Sequence, residues 1–193
     1  FSLNRGNLAL PALAKAEIEE LLKTIGIITE YHWYGRDVLF HSRKEVQEFL
    51  LNRAALVKEV GIVVGDLPKD NGNSFAFDSG IVDSIGQNRG FRIDVREVTG
   101  KLQPNEKMLL IRNLAELIKM KTGAYVSLDK PDIILNLLIF QEKVLVSITK
   151  RSMLRSKLRE RNPGSKSFFH PSMMNAQLAR VMCNLAGITK ETV

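Results

Sequence analysis

An almost unbroken apolar run, DIILNLLIF at residues 132–140, limits the folds open to this chain more than any other stretch. Its side chains hardly alternate between apolar and polar, whereas a strand with one face in water alternates regularly. Such a run is typical of a central strand that is covered on both faces. It follows a long amphipathic stretch at residues 104–121 and precedes KVLVSITK, so we expect a buried strand between a helix and a returning strand.

The first third of the sequence changes repeatedly between strand and helix patterns. FSLNRG is typical of a strand, and a helix is expected from about Pro11. The strand-like runs IITEYHWY and DVLFH flank Gly35-Arg36, a pair that suits a two-residue hairpin loop. A helix at about residues 44–55 and the strand VGIVVG follow. The order β-α-β-β-α-β predicts the split βαβ, or ferredoxin-like, arrangement.

A polar stretch rich in Pro, Gly and Asn, DLPKDNGNS, predicts a domain boundary. A short helix near residues 78–85 and the half-buried strand GFRIDVRE are expected after it, before the long helix. The chain is therefore predicted to be an α/β (α+β) protein with domains at residues 1–66 and 75–150. A basic interdomain linker at 151–174 and a terminal helix at 175–193 complete the expected organisation.

The net charge of +7 is concentrated in one short stretch. Between Lys150 and His170 there are seven Lys and Arg residues but one acid, Glu160. Exposed helices normally intersperse Glu among such residues, so this pattern favours contact with a polyanion over a merely solvated face or flexible linker. The candidate contacts are Lys150, Arg151, Arg155, Lys157, Arg159, Arg161 and Lys166, which Arg92, Lys101, Lys107 and Lys130 could extend.

Candidate catalytic and metal-binding residues are scarce. His32, His41 and His170 are far apart in sequence and match no metal-ligand spacing. Cys183 lies beside an apolar helix face, where a packed thiol fits better than a nucleophile. No G-x-G-x-x-G, P-loop or G-x-S-x-G motif occurs. We therefore expect no catalytic, cofactor-binding or metal-binding residue in these 193 residues.

The sequence predicts a cytoplasmic protein without a membrane segment. No apolar run approaches the ~18 residues that suggest a membrane span, and FSLNRGNLAL lacks the form of a signal peptide. A single cysteine, which excludes an internal disulfide, fits a reducing compartment.

The tail SKSFFHPSMMNAQLARVMCNLAGITKETV combines an aromatic pair with a capped helix. Phe168 and Phe169 could stack on unpaired bases, although burial against a neighbouring domain fits adjacent aromatics better. Asn175 is a candidate helix cap, and Gly187 stands where the helix would end. The helix is expected to carry one apolar stripe, formed by Met174, Leu178, Val181, Met182 and Leu185.

These elements together resemble a known family. GFRIDVREV, the long helix and GAYVSLDKPDIILNLLIFQEKVLVSITKRS resemble the THUMP domain, an RNA-binding module of tRNA-modifying enzymes. The preceding β-α-β-β-α-β unit resembles the ferredoxin-like domain that accompanies THUMP. LRSKLRERNPGSKSFFHPSMMNAQLARVMCNLAG is similar to the linker and first helix before the methyltransferase domain of tRNA guanine-N2-methyltransferases, especially the archaeal type and its eukaryotic counterpart that modify position 10.

The resemblance implies a division of labour. In that family a D-P-F-C-G-[ST]-G segment binds S-adenosylmethionine and an [ND]-P-P-Y motif lies at the target amine, and neither occurs here. We therefore expect the amino-terminal portion of a methyltransferase, inactive alone, that binds the acceptor end of tRNA for the cofactor-dependent parent enzyme. The alternatives are the RNA-binding part of a 4-thiouridine synthetase and a free-standing RNA-binding adaptor.

The apolar stripe of the terminal helix needs a partner surface. In the parent enzyme the resemblance implies that this partner is the methyltransferase domain of the same chain. For the chain by itself, we expect self-association or docking onto a neighbouring molecule through this helix, in preference to folding back or fraying.

Overall fold

The computed structural model describes residues 2–3, 10–27, 30–35, 37–40, 45–68, 82, 84–168, 170 and 172–188. The chain divides into two compact units: Phe1–Val60 together with Arg151–Val193, and Gly61–Lys150. Each unit has a hydrophobic core of its own. The stretch at residues 151–193 therefore belongs with the N-terminal unit, whereas the sequence predicted a separate linker and helix.

The N-terminal unit follows the predicted β-α-β-β-α-β order. Its elements are β1 (Ser2–Leu3), α1 (Leu10–Thr24), β2 (His32–Tyr34), β3 (Asp37–Leu39), α2 (Glu45–Arg53) and β4 (Val57–Pro68). The strands lie in the order β2-β3-β1-β4, and the pairs β2–β3, β1–β3 and β1–β4 are antiparallel. This connectivity confirms the ferredoxin-like arrangement.

Periodicity and turn chemistry explain these elements. The buried face of α1 includes Ala14, Ile18 and Leu22, which recur at the spacing of one helix face. Tyr34 pairs with Asp37 across the β2–β3 hairpin. Between them Gly35 has φ +60°, the conformation that a two-residue loop needs at its first central position.

The second unit is an α/β layer built on a mixed sheet. Its further elements are β5 (Gly90–Glu97), α3 (Pro104–Thr122), β6 (Tyr125–Val126), β7 (Ile133–Ile139) and β8 (Lys143–Arg151). The strand order is β4-β8-β7-β5-β6. β5 is parallel to β6 and β7, and β7 is antiparallel to β8. The strand β7 is thus central and largely buried, as the run DIILNLLIF predicted.

The long helix α3 has clear start and stop signals. Pro104 occupies its first turn, and the Gln103 N–H donates to the Glu106 carboxylate at 2.8 Å. The helix ends at Gly123, which has φ +69° and donates its N–H to the Lys119 carbonyl. One apolar stripe, Leu110, Leu114 and Ile118, is fully buried.

The polar stretch after the first predicted domain begins within a strand. β4 runs from Val57 to Pro68, so it continues into the polar stretch where the domain boundary was predicted. The boundary between the units instead falls within β4, after Val60. Most of the short helix expected at 78–85 lies outside the described residues. Among the described residues, no helix is both long and apolar enough to cross a membrane.

The tail of the chain is folded onto the N-terminal unit. It forms α4 (Leu154–Glu160), a 3-10 turn (Pro163–Ser165) and α5 (Ala176–Leu185). The core of the unit includes Leu158 and Val181. Residues 151–174, predicted as a basic interdomain linker, thus contain a helix, α4, whose apolar face is part of the core of this unit. The Asn175 cap and the Gly187 stop of α5 are confirmed.

Gly100 offers a test of packing in the second unit. A Cβ on Gly100 would clash with the Phe140 carbonyl, which is backbone and cannot rotate away, whereas a Cβ on Gly164 would meet nothing within 4 Å. We expect Gly100→Ala to lower the free energy of unfolding by about 1–3 kcal/mol, and Gly164→Ala to change it by less than about 0.5 kcal/mol. Urea denaturation measures both, and equal stabilities would contradict the packing described here.

Candidate nucleic-acid interface

The positive charge of the chain belongs to one stretch of the N-terminal unit. Residues 151–193 carry eight Lys and Arg residues against two Glu residues. Residues 1–60 carry eight of each sign, and residues 61–150 carry twelve basic against eleven acidic residues. The net positive charge that would attract a polyanion is therefore located in residues 151–193.

The helix α4 separates apolar from basic side chains. Leu154 and Leu158, four residues apart, pack into the core of the unit. The cations alternate around this apolar pair and are all exposed. We use "basic segment" for this exposed set: Arg151, Arg155, Lys157, Arg159, Arg161 and Lys166.

Hydrogen bonds fix the start of the basic segment. The Ser152 N–H donates to the Lys58 carbonyl at 2.9 Å, and the Ser152 hydroxyl donates to the Leu51 carbonyl at 3.0 Å. Both acceptors lie in the α2–β4 region of the same unit. The backbone that leads into α4 is therefore attached to the N-terminal unit.

The end of the basic segment is fixed as well. The Ser165 hydroxyl lies 2.7 Å from both the Glu160 and Asn162 carbonyl oxygens. Glu160 is the last residue of α4, and Asn162 lies two residues after it. The Asn162 side-chain oxygen accepts from the Ala176 N–H at 3.2 Å, which ties this turn to the start of α5. Ser152, Asn162 and Ser165 are short polar residues of the kind that bind phosphate, but their side chains are engaged within the protein. Ser156 and Ser167 are exposed.

A buried carboxylate holds α5 on α1. Glu17 of α1 is fully buried, and its oxygens accept from the Ala55 N–H at 2.9 Å and the Leu56 N–H at 3.0 Å. The Asn184 amide donates to Glu17 at 2.7 Å and to the Arg53 carbonyl at 2.8 Å. Burial raises the pKa of Glu17 above its ordinary value, although these hydrogen bonds oppose that effect.

The inward face of α5 differs from the predicted stripe. Val181 is fully buried, but Met174, Leu178, Met182 and Leu185 are exposed, with Leu178 at 44% and Met182 at 52%. Apart from Val181, the apolar stripe predicted from the sequence is therefore exposed and does not pack within this chain.

The backbone at the end of α2 explains this orientation. Besides Asn184, Gln177 donates to the Ala55 carbonyl at 2.8 Å, and the Arg180 guanidinium approaches the Arg53 carbonyl at 3.4 Å. Carbonyl groups at a helix C-terminus lack partners within the helix. The polar residues of α5 meet these groups, so its polar side faces inward. Sequence periodicity gave no sign of this long-range pairing.

The remaining candidate cations lie in the second unit or at its edge. Arg92 forms a bidentate pair with Asp94 and approaches the Leu128 carbonyl, and Lys107 contacts Glu97 at 2.6 Å. The hydrogen bond from Lys107 holds the pKa of Glu97 below its ordinary value. Both cations thus have structural partners. The other candidates of this unit, all exposed, are Lys101, Lys130 and Lys150.

The described residues contain no group of three His, Cys, Asp or Glu side chains arranged to hold a metal. His32 lies on β2, and the His170 ring nitrogen Nδ1 lies 2.6 Å from the Ser172 hydroxyl. His41 is outside the described residues. Cys183 has a half-buried free thiol.

Comparisons with known proteins identify two sequence relatives. The chain is 24% identical over 179 residues to tRNA (guanine(10)-N2)-dimethyltransferase of Methanothermobacter thermautotrophicus, covering 92% of this chain and 52% of the relative. It is 31% identical over 83 residues to the enzyme of the same name from Methanocaldococcus jannaschii, covering 43% and 24%. The chain thus spans about half the length of the first relative and a quarter of the second. No protein-family model matches.

Solved structures share the fold at low sequence identity. PH1313 from Pyrococcus horikoshii aligns with a TM-score of 0.56 and 17% identity over 79% of this chain and 54% of its own. TrmN from Thermus thermophilus aligns at 0.53 and 16%, over 73% and 44%. A 4-thiouridine synthetase in complex with RNA and ATP aligns at 0.51 and 13%, over 78% and 40%. These neighbours share the fold of this chain and confirm the predicted α/β (α+β) fold class.

The polar attachment of α5 can be tested with one substitution. Asn184→Ala removes the donor to the buried Glu17 carboxylate, so we expect a loss of about 1–3 kcal/mol in the free energy of unfolding. Amide hydrogen exchange should accelerate across residues 176–185 but not across residues 104–122 of α3. Met182→Ala, an exposed position on the same helix, is the control and should leave exchange unchanged. Equal behaviour of the two variants would contradict the attachment.

Proposed function

We propose that this chain is the tRNA-binding and positioning module of an S-adenosylmethionine-dependent tRNA (guanine-N2)-methyltransferase that acts on guanosine 10. The observation that carries the proposal is the basic segment, whose six cations are exposed from the end of β8 through α4 and the turn that follows it, a stretch anchored at both ends. The names of the two sequence relatives support the substrate and the position.

An anchored basic segment suits positioning. Contacts to phosphates fix the register and orientation of a nucleic acid without reading its sequence, and proteins recognise RNA largely by shape and by unpaired stretches. The leucines of α4 and the bonds of Ser152 and Asn162 keep the cations on one folded unit. An RNA bound there, through its acceptor end, would be held in a defined position for a reaction elsewhere in the parent enzyme.

The cofactor and the chemistry are assigned to the rest of the parent enzyme. The 193 residues contain neither the D-P-F-C-G-[ST]-G nor the [ND]-P-P-Y motif, so they offer no recognisable site for S-adenosylmethionine. The first relative is about twice as long as this chain. We assign the cofactor and the base pocket to a methyltransferase domain of the same parent chain in the cytoplasm, and the exposed apolar face of α5 to contact with that domain.

A 4-thiouridine synthetase is the second candidate for the parent enzyme. The observation in its favour is the fold shared with the synthetase–RNA complex. The sequence relatives favour methyl transfer. Mass spectrometry of tRNA from cells that lack the gene separates the two, because loss of N2-methylguanosine and loss of 4-thiouridine are distinct outcomes. A free-standing adaptor would change neither modification directly.

The basic segment can be tested by charge removal. We expect the quadruple change of Arg155, Lys157, Arg159 and Arg161 to Ala to weaken tRNA binding strongly with little change in thermal stability. If about four to six phosphates are contacted, the slope of log affinity against log salt for the unmodified chain should be roughly −3 to −5. Fluorescence anisotropy with labelled tRNA measures both quantities.

A second quadruple variant controls for net charge. Arg112, Lys119, Lys121 and Lys143 are exposed on the second unit, and changing them to Ala removes the same charge. This variant should retain most of the affinity. Equal losses in the two variants, or an affinity that does not depend on salt, would refute a localised site.

The division of labour predicts a silent fragment. When the purified chain is incubated with tRNA and labelled S-adenosylmethionine, we expect no methyl incorporation, because the chain lacks the motifs for the cofactor and the target amine. The longer relative from Methanothermobacter thermautotrophicus serves as the positive control. Incorporation above background by the chain alone, or saturable cofactor binding, would overturn this assignment.

A further inference from the structure

The stretch that follows the basic helix is held at both ends. On one side, the Lys166 N–H donates to the Pro163 carbonyl at 3.1 Å, closing the 3-10 turn. On the other, the Met173 N–H donates to the His170 carbonyl at 3.0 Å. Phe168 lies between these two turns in sequence.

Phe168 is 68% exposed. Its sequence favoured burial against a neighbouring domain, but within this chain the ring is presented to solvent. Lys166 and Ser167 directly precede it and are exposed as well. An aromatic ring that follows a cation and a hydroxyl group in sequence, with Glu160 the nearest acid before it, suits a ligand that carries both an apolar face and negative charge.

Unpaired nucleotides have this combination. Each nucleotide offers a flat base, on which an aromatic ring can stack, and a phosphate, which a cation can bind. A continuous duplex exposes its phosphates but keeps its base faces stacked inside the helix. An exposed phenylalanine therefore adds affinity for an unpaired nucleotide and little for duplex RNA.

We propose that Phe168 is a stacking platform for an unpaired nucleotide of the bound RNA, with Arg161 and Lys166 as contacts to the adjoining phosphates. The inference rests on the proposed RNA-binding function and deepens it, because it assigns part of the site to single-stranded RNA. Met153 is equally exposed, at 69%, but has no ring. Tyr125 is an exposed ring, but it belongs to the unit in which the charges nearly balance.

Substitutions at Phe168 distinguish stacking by an aromatic ring from non-specific hydrophobic contact. We expect Phe168→Ala and Phe168→Leu to weaken binding of a single-stranded RNA octamer about 5- to 150-fold, the range measured when a stacking residue is truncated. Phe168→Tyr and Phe168→Trp should stay within about threefold of the unmodified chain, because they keep a ring. Met153→Ala is the matched control and should leave affinity unchanged. All five variants should keep the thermal stability of the unmodified chain, since both side chains are exposed.

A second experiment compares binding of single-stranded RNA with binding of duplex RNA. A blunt RNA duplex of equal charge should bind the alanine variant and the unmodified chain alike. Phe168→Trp should show fluorescence quenching with the octamer and none with the duplex, measured against the unmodified chain, which shares Trp33. Normal octamer binding by Phe168→Ala or Phe168→Leu, or an equal loss for duplex, would overturn the proposal.

The failures can be told apart. If the quadruple basic variant fails to bind but Phe168→Ala binds normally, the basic site stands and stacking is wrong. If neither change affects binding, the proposed RNA site itself is wrong. If Phe168→Ala lowers the melting temperature of the longer parent enzyme but leaves octamer binding intact, the ring packs on another part of that enzyme, and the stacking proposal fails.

Discussion

The buried carboxylate of Glu17 is the interaction on which the N-terminal unit most depends. It joins α1, the turn between α2 and β4, and α5, which are far apart in sequence. A buried charge is costly unless hydrogen bonds replace its water, and here three donors do so. Because Asn184 is one of them, the last helix is held by the same group that organises the first. The basic segment lies between two anchored points as a result.

The basic helix α4 is a compromise between stability and function. Arg155 and Arg159, like Lys157 and Arg161, are four residues apart, a spacing at which like charges destabilise a helix by a few tenths of a kcal/mol each. The leucine pair on the opposite side offsets this repulsion, since fully burying a side chain such as that of Leu158 is worth about 1.5–3 kcal/mol and Leu154 is partly buried beside it. Binding of a polyanion to the exposed face of such a helix would relieve the repulsion between its cations. In the proposed function, the charge and the burial of α4 would therefore serve binding and positioning together.

Sequence alone could predict the elements but not the tail's attachment. The strand β7 follows from its continuous apolar run, and Asn175, Gly187 and Gly123 mark helix ends through local chemistry. The face of α5 could not be predicted, because Gln177 meets a carbonyl 122 residues away in sequence. The docking of α4 had one local sign, the Leu154–Leu158 spacing, which the surrounding charges concealed. Local sequence patterns thus predict the helices and strands. The arrangement of the cations, however, depends on buried hydrogen bonds between distant residues, which hydrophobic periodicity does not predict.

The terminal helix α5 has its faces reversed relative to an ordinary surface helix. It buries Asn184 and shields Gln177 and Arg180 while Leu178 and Met182 are exposed. Hydrogen bonds are directional but contribute only about 0.5–1.5 kcal/mol each in net terms, so the inner face specifies orientation more than strength. The apolar outer face is the one that can supply binding free energy, because such energy scales with the apolar area removed from water. In the proposed parent enzyme, α5 would therefore orient itself on the RNA-binding unit through its polar side and bind the catalytic domain through its apolar side. One helix would then set the distance between the bound phosphates and the reacting base.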